Sequence, residues 1–223
     1  MRAHAAPDPS RQSGPSVWYN LATILLILLL AGIGAAYIID GLGRYARTAT
    51  GASGETLSRA IGGSTLTIPR EWFRYEEQEA EGFAKQIDLR LQLPLGDNGE
   101  AATVDITLVP RSRVRPSASL LDGVYLHQFA SEQYANVPGL VGKPLRPEDG
   151  YAGEIVWYDP VSPAPFVAKC SAPVDAGAPQ TCLRMVYLGP GMAAIYGFSA
   201  SVLPHWRQFD PIIDERLKQI GAL

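Results

Sequence analysis

Apolar and polar residues alternate over long stretches of the chain after residue 64. In QIDLRLQL (residues 86–93) every second residue is apolar, and TVDITLV (residues 103–109) repeats the pattern. A period of two places one face of a strand against a core and the other in water, which is typical of antiparallel sheets. The sequence GDNG (residues 96–99) lies between the two segments and is rich in turn-forming residues, so we predict a hairpin.

Similar apolar segments predict five more strands, and apolar residues at helical spacing predict two helices. The strands are expected at residues 65–68, 151–158, 166–170, 182–188 and 192–200. A mid-chain helix is predicted over Ser117–Ala135, and a C-terminal helix with Asp210 as its cap, Pro211 in its first turn and Gly221 after its end. We therefore predict an α+β fold, with one globular domain at residues 64–223 whose mainly antiparallel sheet is packed by both helices.

A different pattern precedes the domain. Residues 17–39 carry no charge over 23 positions, which as a helix would extend roughly 34 Å and cross the ~30 Å hydrocarbon core of a bilayer. We predict a single transmembrane helix that acts as a retained signal anchor, and a cleaved signal peptide is the alternative. Residues 1–16 are then expected to form a disordered cytoplasmic tail, and the Gly-, Ala-, Ser- and Thr-rich residues 40–63 a flexible tether.

Composition and charge narrow the function classes. The chain has 19 Lys and Arg against 22 Asp and Glu, a net charge of −3, which argues against a nucleic-acid binder held by phosphate neutralisation. Its 22 glycines and 18 prolines favour a turn-rich domain over a helical bundle. Two cysteines are too few for a zinc site of four thiolates.

The two cysteines decide the expected compartment. Cys170 and Cys182 fall at matching ends of two predicted strands, so we expect a disulfide between them. Reduced core cysteines in a cytoplasmic domain, or a bond to a partner, are the alternatives. Basic residues flanking the apolar segment are balanced, so the disulfide decides the expected orientation: a bacterial inner-membrane protein with its C-terminal domain in the periplasm.

The order of elements resembles the PsbP-like family of small α/β domains. The opening strand TLTIPREW matches in Leu66, Ile68, Pro69 and Trp72, and the strand at Ile195–Val202 is followed by Phe209 and a helix at Ile213–Ile220. The resemblance covers roughly residues 64–221. Because many members of that family are accessory or assembly proteins without catalytic activity, it implies a fold class and makes an enzyme less expected, and it transfers no site residue.

Few residues indicate a catalytic, metal-binding or anion-binding site. His4, His127 and His205 show no metal-ligand spacing, and the domain has no G-x-S-x-G motif, so we predict no metal, cofactor or catalytic residue. Arg111, Arg113 and Arg115 would share one face if extended and could bind an anionic partner; a charged, solvated sheet edge is the alternative.

Aromatic residues are the other candidates. Trp72 and Trp157 could line a groove, although core packing explains aromatics in strands equally well.

The expected function is therefore that of a membrane-anchored accessory. We predict a non-catalytic module that binds another envelope or inner-membrane protein and assists a bacterial envelope complex. A domain that binds a ligand or an envelope polymer through an aromatic groove is the first alternative, and an envelope hydrolase the second. The sequence leaves the partner and the oligomeric state open.

Overall fold

The structure is a computed structural model in which the chain divides into two units, Met1–Ala52 and Ser53–Leu223. The residues it describes are Leu21, 24–28, Leu30, Gly32, 54–173, 175, 177–189 and 191–223. The predicted tail at residues 1–16 and most of the predicted tether lie outside the described residues.

The prediction of a transmembrane helix at residues 17–39 is wrong as far as the described residues go. Among the described residues, no helix is both long enough and apolar enough to cross a membrane.

The unit Ser53–Leu223 is a sheet-rich α+β domain. Its described strands are β1 (Thr56–Ile61), β2 (Ser64–Pro69), β3 (Gly82–Phe83), β4 (Ile87–Pro94), β5 (Ala101–Pro110), β6 (Val141–Pro144), β7 (Glu154–Tyr158), β8 (Val167–Ser171), β9 (Thr181–Tyr187) and β10 (Met192–Ser199). Its α-helices are α1 (Ser117–Gly123) and α2 (Trp206–Gln219).

Seven strands form the main sheet in the order β4-β5-β10-β9-β8-β7-β6. Every neighbouring pair in it is antiparallel, so the predicted antiparallel sheet is correct. The alternating residues of β4 and β5 cause this arrangement, because Leu89 and Ile106 are fully buried on one face while Arg90 and Asp105 lie on the other.

The first face of the sheet is covered by α2 and by the hairpin of β1 and β2. Phe209, Ile213 and Leu217 of α2 are fully buried there. The ring of Phe209 contacts that of Phe198 at 4.6 Å between centroids and that of Tyr196 at 5.7 Å. These contacts place the main hydrophobic core between α2 and the sheet.

The helix α2 begins earlier than predicted. It starts at Trp206 rather than after Asp210, so Asp210 does not cap it. The longer helix carries Phe209 into the core, and the Asp210 carboxylate instead accepts hydrogen bonds from Arg184 of β9 at 2.6 and 3.1 Å.

The folded unit also begins earlier than predicted. Residues 56–61, assigned above to the tether at 40–63, form β1 and pair with β2. Gly62 and Gly63 join the two strands with φ of +59° and +85°, the conformation of a two-residue hairpin turn that glycine adopts without strain.

The mid-chain helix is shorter than predicted. Ser117–Gly123 is helical, but Val124 leaves helical geometry and Tyr125–His127 form a single 3₁₀ turn, so the helix ends well before Ala135. Leu121 and Tyr125 pack with Val156 and Val167 into a small second core on the opposite face of the sheet. This helix therefore covers only one end of that face.

Candidate functional site

The part of the second sheet face that α1 leaves open forms a groove over β5, β10 and β9, with a volume of about 850 Å³. The side chains of its floor are contributed by alternate residues of three strands, and the turn between β4 and β5 closes one end. Its lining includes Arg74, Asp97, Glu100, Thr103, Asp105, Thr107, Thr181, Leu183, Ile195, Gly197, Ser199 and Ser201. We call this surface the open-face groove.

The strand register fixes how the floor of the groove is arranged. Arg90, Asp105, Gly197, Leu183 and Lys169 are paired in one row across five strands. The charged residues stand at the two ends of this row, and the centre consists of a glycine and a leucine. The floor is therefore apolar and shallow in the middle and charged at both sides.

Gly197 lies at the centre of the floor without a structural need for glycine. A Cβ at this position would meet Asp105 Cβ at 3.7 Å and Leu183 Cδ2 at 3.8 Å, which is ordinary van der Waals contact, and the backbone does not have positive φ. Glycine inside a strand weakens the strand and often marks a place where another molecule approaches closely. Leu183, which pairs with Gly197 on the neighbouring strand, is 42% exposed.

One side of the groove is an ion-pair cluster. Asp105 accepts hydrogen bonds from Arg90 Nε at 2.7 Å and Nη2 at 3.0 Å, and Nη1 of Arg74 lies 3.1 Å from its second oxygen. Two guanidinium groups thus share one carboxylate. The hydrogen bonds to Asp105 raise the pKa of Arg90, so the Arg90 guanidinium stays charged at any physiological pH.

A buried carboxylate lies next to this cluster. Asp88 of β4 is 6% exposed and accepts hydrogen bonds from the Thr107 hydroxyl at 2.6 Å and from the side-chain amides of Gln78 and Gln86. Burial alone would raise the pKa of Asp88, but these hydrogen bonds and the charge of Arg74 together lower it. Asp88 is therefore a fixed anion that orders the side of the groove.

The end of the groove at the β4–β5 turn is acidic and rich in hydroxyl groups. Asp97 is 88% exposed, and its carboxylate lies 3.1 Å from Nε2 of His205. Glu100 also lines this end, as do the hydroxyls of Ser199 and Ser201.

A hydrolase would need a histidine in contact with a serine nucleophile at this end. The Ser201 hydroxyl instead bonds that of Ser199 at 2.9 Å, and among the described residues no hydrogen bond links His205 to a serine. The arrangement lacks the relay of a nucleophilic site.

The predicted disulfide is confirmed. Cys170 and Cys182 are bonded and face each other as directly paired residues of β8 and β9. Both are fully buried on the first face, on the opposite side of the sheet from the groove.

The three arginines do not form the predicted extended face. Arg111–Arg113 form a 3₁₀ turn after β5, so alternate residues no longer point in one direction. The Arg111 guanidinium stacks over the Tyr187 ring at 3.8 Å, and Arg113 and Arg115 are exposed. The shared face was wrong because Pro110 and Pro116 bracket a turn instead of a strand. Anion binding by these residues stays a prediction.

The structure does not bring Trp72 and Trp157 together in a groove. Trp157 of β7 is 5% exposed within the core, and Trp72 packs against the core from a 3₁₀ turn. Neither lines the open-face groove. Core packing, the alternative interpretation, therefore describes both residues.

In the described part of the chain, the histidines and possible metal ligands form no second site. His127 is exposed and His205 contacts Asp97, while His4 lies outside the described residues. Within the described ranges, no three His, Cys, Asp or Glu side chains are grouped as metal ligands would be.

Sequence reasoning missed the open-face groove. The polar residues of β4 and β5 were interpreted as a uniformly solvated face, and the strand at residues 192–200 gave no reason to single out its glycine. Gly197, flanked by the aromatic residues Tyr196 and Phe198 in an otherwise regular strand, was the available signal.

No family model matches the chain, and no curated protein matches it. The resemblance to the PsbP-like family therefore stays a prediction. Among solved structures, an immunity protein of the Stenotrophomonas maltophilia type IV secretion system is similar at 10% sequence identity with a TM-score of 0.49, over 74% of this chain and 92% of that one. A likeness of this size establishes neither a shared family nor a shared function.

Proposed function

We propose that the unit Ser53–Leu223 is a non-catalytic domain that binds a protein partner through the open-face groove in an oxidising compartment outside the cytoplasm, the bacterial periplasm. The observation that carries the proposal is Gly197. Its position in a central strand costs stability, and neither packing nor backbone geometry requires it. A binding surface explains why a glycine stands here, because a side chain of the partner can then approach the sheet backbone.

The surroundings of Gly197 support a protein as the partner. Leu183 and Ile195 supply apolar contacts in the centre, while charged and hydroxyl side chains surround them. Protein interfaces commonly combine an apolar centre with a polar rim. The floor is held by strand pairing on both sides of β10, so little ordering is needed on binding.

The disulfide supports the proposed compartment. Structural disulfides form and persist where the environment is oxidising, and the Cys170–Cys182 bond is fully buried. Thiol trapping of the protein in intact cells tests this point. Full protection of both cysteines from alkylation is the expected result, and two reactive thiols would contradict the proposed compartment.

The test of binding begins with photocrosslinking in the native cell. A benzophenone amino acid replaces Leu183 in the groove, and in a matched variant it replaces Phe83, which is 73% exposed on β3 and does not line the groove. A crosslinked protein specific to position 183 is expected. That protein is then purified and its affinity for the full chain is measured.

The Gly197→Val variant decides whether the groove is responsible. We expect it to fold at least as stably as the wild type, because valine favours strands, and to weaken binding about tenfold or more by filling the centre of the floor. Thr67→Val, which adds the same side chain to an exposed position of β2, is expected to bind normally. Equal crosslinking at positions 183 and 83, or normal binding by Gly197→Val, would contradict the proposal.

A further inference from the structure

Resting on the proposed function, we infer that the partner segment presents a basic and an aliphatic side chain two positions apart, on the same side of the segment. The basic side chain lies at the end of the groove formed by Asp97 and Glu100, and the aliphatic side chain lies over Gly197. The charges of the groove and the shape of its floor lead to this chemistry independently.

The charge argument begins with the ion pairs already present. The ionised side chains in and beside the groove are Arg74, Arg90, Lys169, Asp88, Asp97, Glu100, Asp105 and Glu154, the last of which is paired with Lys169 at 2.8 Å. Three cations against five anions leave a net charge of −2. Because Asp105 is neutralised by both arginines and Asp88 is buried under hydrogen bonds, the carboxylates exposed to a partner are those of Glu100 and of Asp97, one oxygen of which also contacts His205.

Hydroxyl groups strengthen the preference for a cation at that end. The side chains of Thr181, Ser199 and Ser201 lie with Asp97 and Glu100 at the same end of the sheet, where β5 and β9 begin and β10 ends. An ammonium or guanidinium group carries several donors and needs acceptors around it. Carboxylate and hydroxyl oxygens supply them, whereas an anionic partner would meet only repulsion here.

The floor selects the neighbouring side chain. Between Leu183 and Ile195 the surface falls back to the backbone at Gly197, so there is room for one side chain of moderate size. Burying an aliphatic group against these two residues releases apolar surface from water. In an extended segment, alternate side chains point to the same side about 6.6–7 Å apart, so a basic residue two positions from the aliphatic one reaches the acidic end.

The experiment uses the purified full chain and three synthetic ten-residue peptides. In each peptide every second residue is Ser, and the residues between alternate Lys with Val, Glu with Val, or Lys with Ser, so that the two test side chains stand two positions apart on one side of an extended chain. The Lys–Val peptide also exists with a photocrosslinker at a central Val position. Affinity is measured by fluorescence anisotropy at low and high salt, and the crosslinked residues are identified by mass spectrometry. We expect the Lys–Val peptide to bind at least tenfold more tightly than either of the others and to crosslink at residues lining the groove.

Matched variants locate the charge preference. Asp97→Asn with Glu100→Gln is expected to weaken the Lys–Val peptide about fivefold at low salt and less at high salt, as exposed ion pairs do. Glu132→Gln with Glu215→Gln removes the same charge from exposed positions outside the groove and is expected to have little effect.

Equal loss of affinity in both double variants, preference for the Glu–Val peptide, or crosslinks outside the groove would overturn the inference. Absence of binding by all three peptides would overturn it as well. In each of these cases a native partner crosslinked at position 183 would leave the proposed function standing. Absence of that native partner would remove the proposed function itself.

Discussion

At the scale of single residues, two buried charges of this domain, those of Arg184 and Asp88, are surrounded by hydrogen-bond partners. Arg184, 7% exposed, donates to Asp210 and to the carbonyl oxygen of Val167, and its guanidinium stacks over the Phe166 ring at 4.5 Å. Asp88 accepts from three side chains in the same way. Removing one partner of such a group lowers the free energy of unfolding most, because the remaining charge stays buried without compensation.

Asp88 gives the first prediction, a dependence of stability on pH. Because the pKa of Asp88 is lowered in the folded protein, its contribution is fully present above the unfolded value of about 3.9 and is lost as pH falls through the lower, folded value. Asp88→Asn should therefore reduce the free energy of unfolding by about 2 kcal/mol at pH 7. Urea unfolding at several pH values should show the difference from wild type shrinking below about pH 4.

Asp214 provides the control of opposite sign. Burial and then the nearby charge of Asp210 raise its pKa, so the folded state disfavours its charged form at neutral pH. Asp214→Asn is expected to leave stability at pH 7 unchanged or higher, and this difference should also vanish at low pH. A loss of stability in Asp214→Asn equal to that in Asp88→Asn would show that neither effect comes from titration.

At the scale of elements, the period of the apolar residues correctly predicted strands that have one buried face. It failed where a turn determines the structure. The strands β4, β5, β9 and β10 were found because their alternate residues are buried. The strand β1 was missed because the small residues around it suggested a tether, although Leu57, Arg59 and Ile61 alternate and Gly62–Gly63 follow. Gly197 could have marked the strand that the groove uses, but the extent of the groove depends on which end of a face α1 leaves uncovered, and sequence patterns do not contain that information.

The second prediction concerns the contact between two turns. A Cβ at Gly191 would fall on the backbone carbonyl oxygen of Gly62, which ties the β1–β2 turn to the β9–β10 turn. Gly191→Ala should lower the free energy of unfolding by about 2 kcal/mol, because neither backbone can move without leaving its hairpin.

Gly123→Ala is the matched control for this substitution. Gly123 is the last residue of α1, has open space around its Cα and does not have positive φ. Alanine there should raise stability by about 0.5 kcal/mol or leave it unchanged. Chemical denaturation of the two variants and the wild type measures both effects, and equal destabilisation by the two alanines would contradict the proposed clash.

At the scale of the whole molecule, the main sheet consists of two parts joined by a short seam between β8 and β9. The two strands pair only at Lys169–Leu183, Cys170–Cys182 and Ser171–Thr181. In the same register Val167 would face Met185, but there the strands separate: the Met185 N–H donates to the Ser117 hydroxyl at 2.9 Å, and Arg184 donates to the Val167 carbonyl at 3.3 Å. Side chains thus replace the missing strand pairing.

The disulfide lies at the centre of this seam, and that position leads to the third prediction. Replacing Cys170 and Cys182 together with Ala removes a link between residues 12 apart in sequence, which for a loop of this size stabilises by roughly 3 kcal/mol. The free energy of unfolding should fall by about that amount. On one side of the seam, β9 pairs with β10 and β10 with β5 over seven residues each, so these strands stay in place. The added flexibility should therefore concentrate on the other side, in β6, β7 and β8.

Hydrogen–deuterium exchange followed by mass spectrometry distinguishes this outcome from a uniform loss of stability. In the double-alanine variant, amides of β6–β8 should exchange faster than those of β4, β5 and β10 by a larger factor than in the wild type. Reduced wild-type protein should show the same pattern, since it lacks the link but keeps both sulfur atoms. Equal acceleration in all seven strands would mean that the seam is no weaker than the rest of the sheet, and that Ser117 and Arg184 fully replace the pairing that β8 and β9 lack.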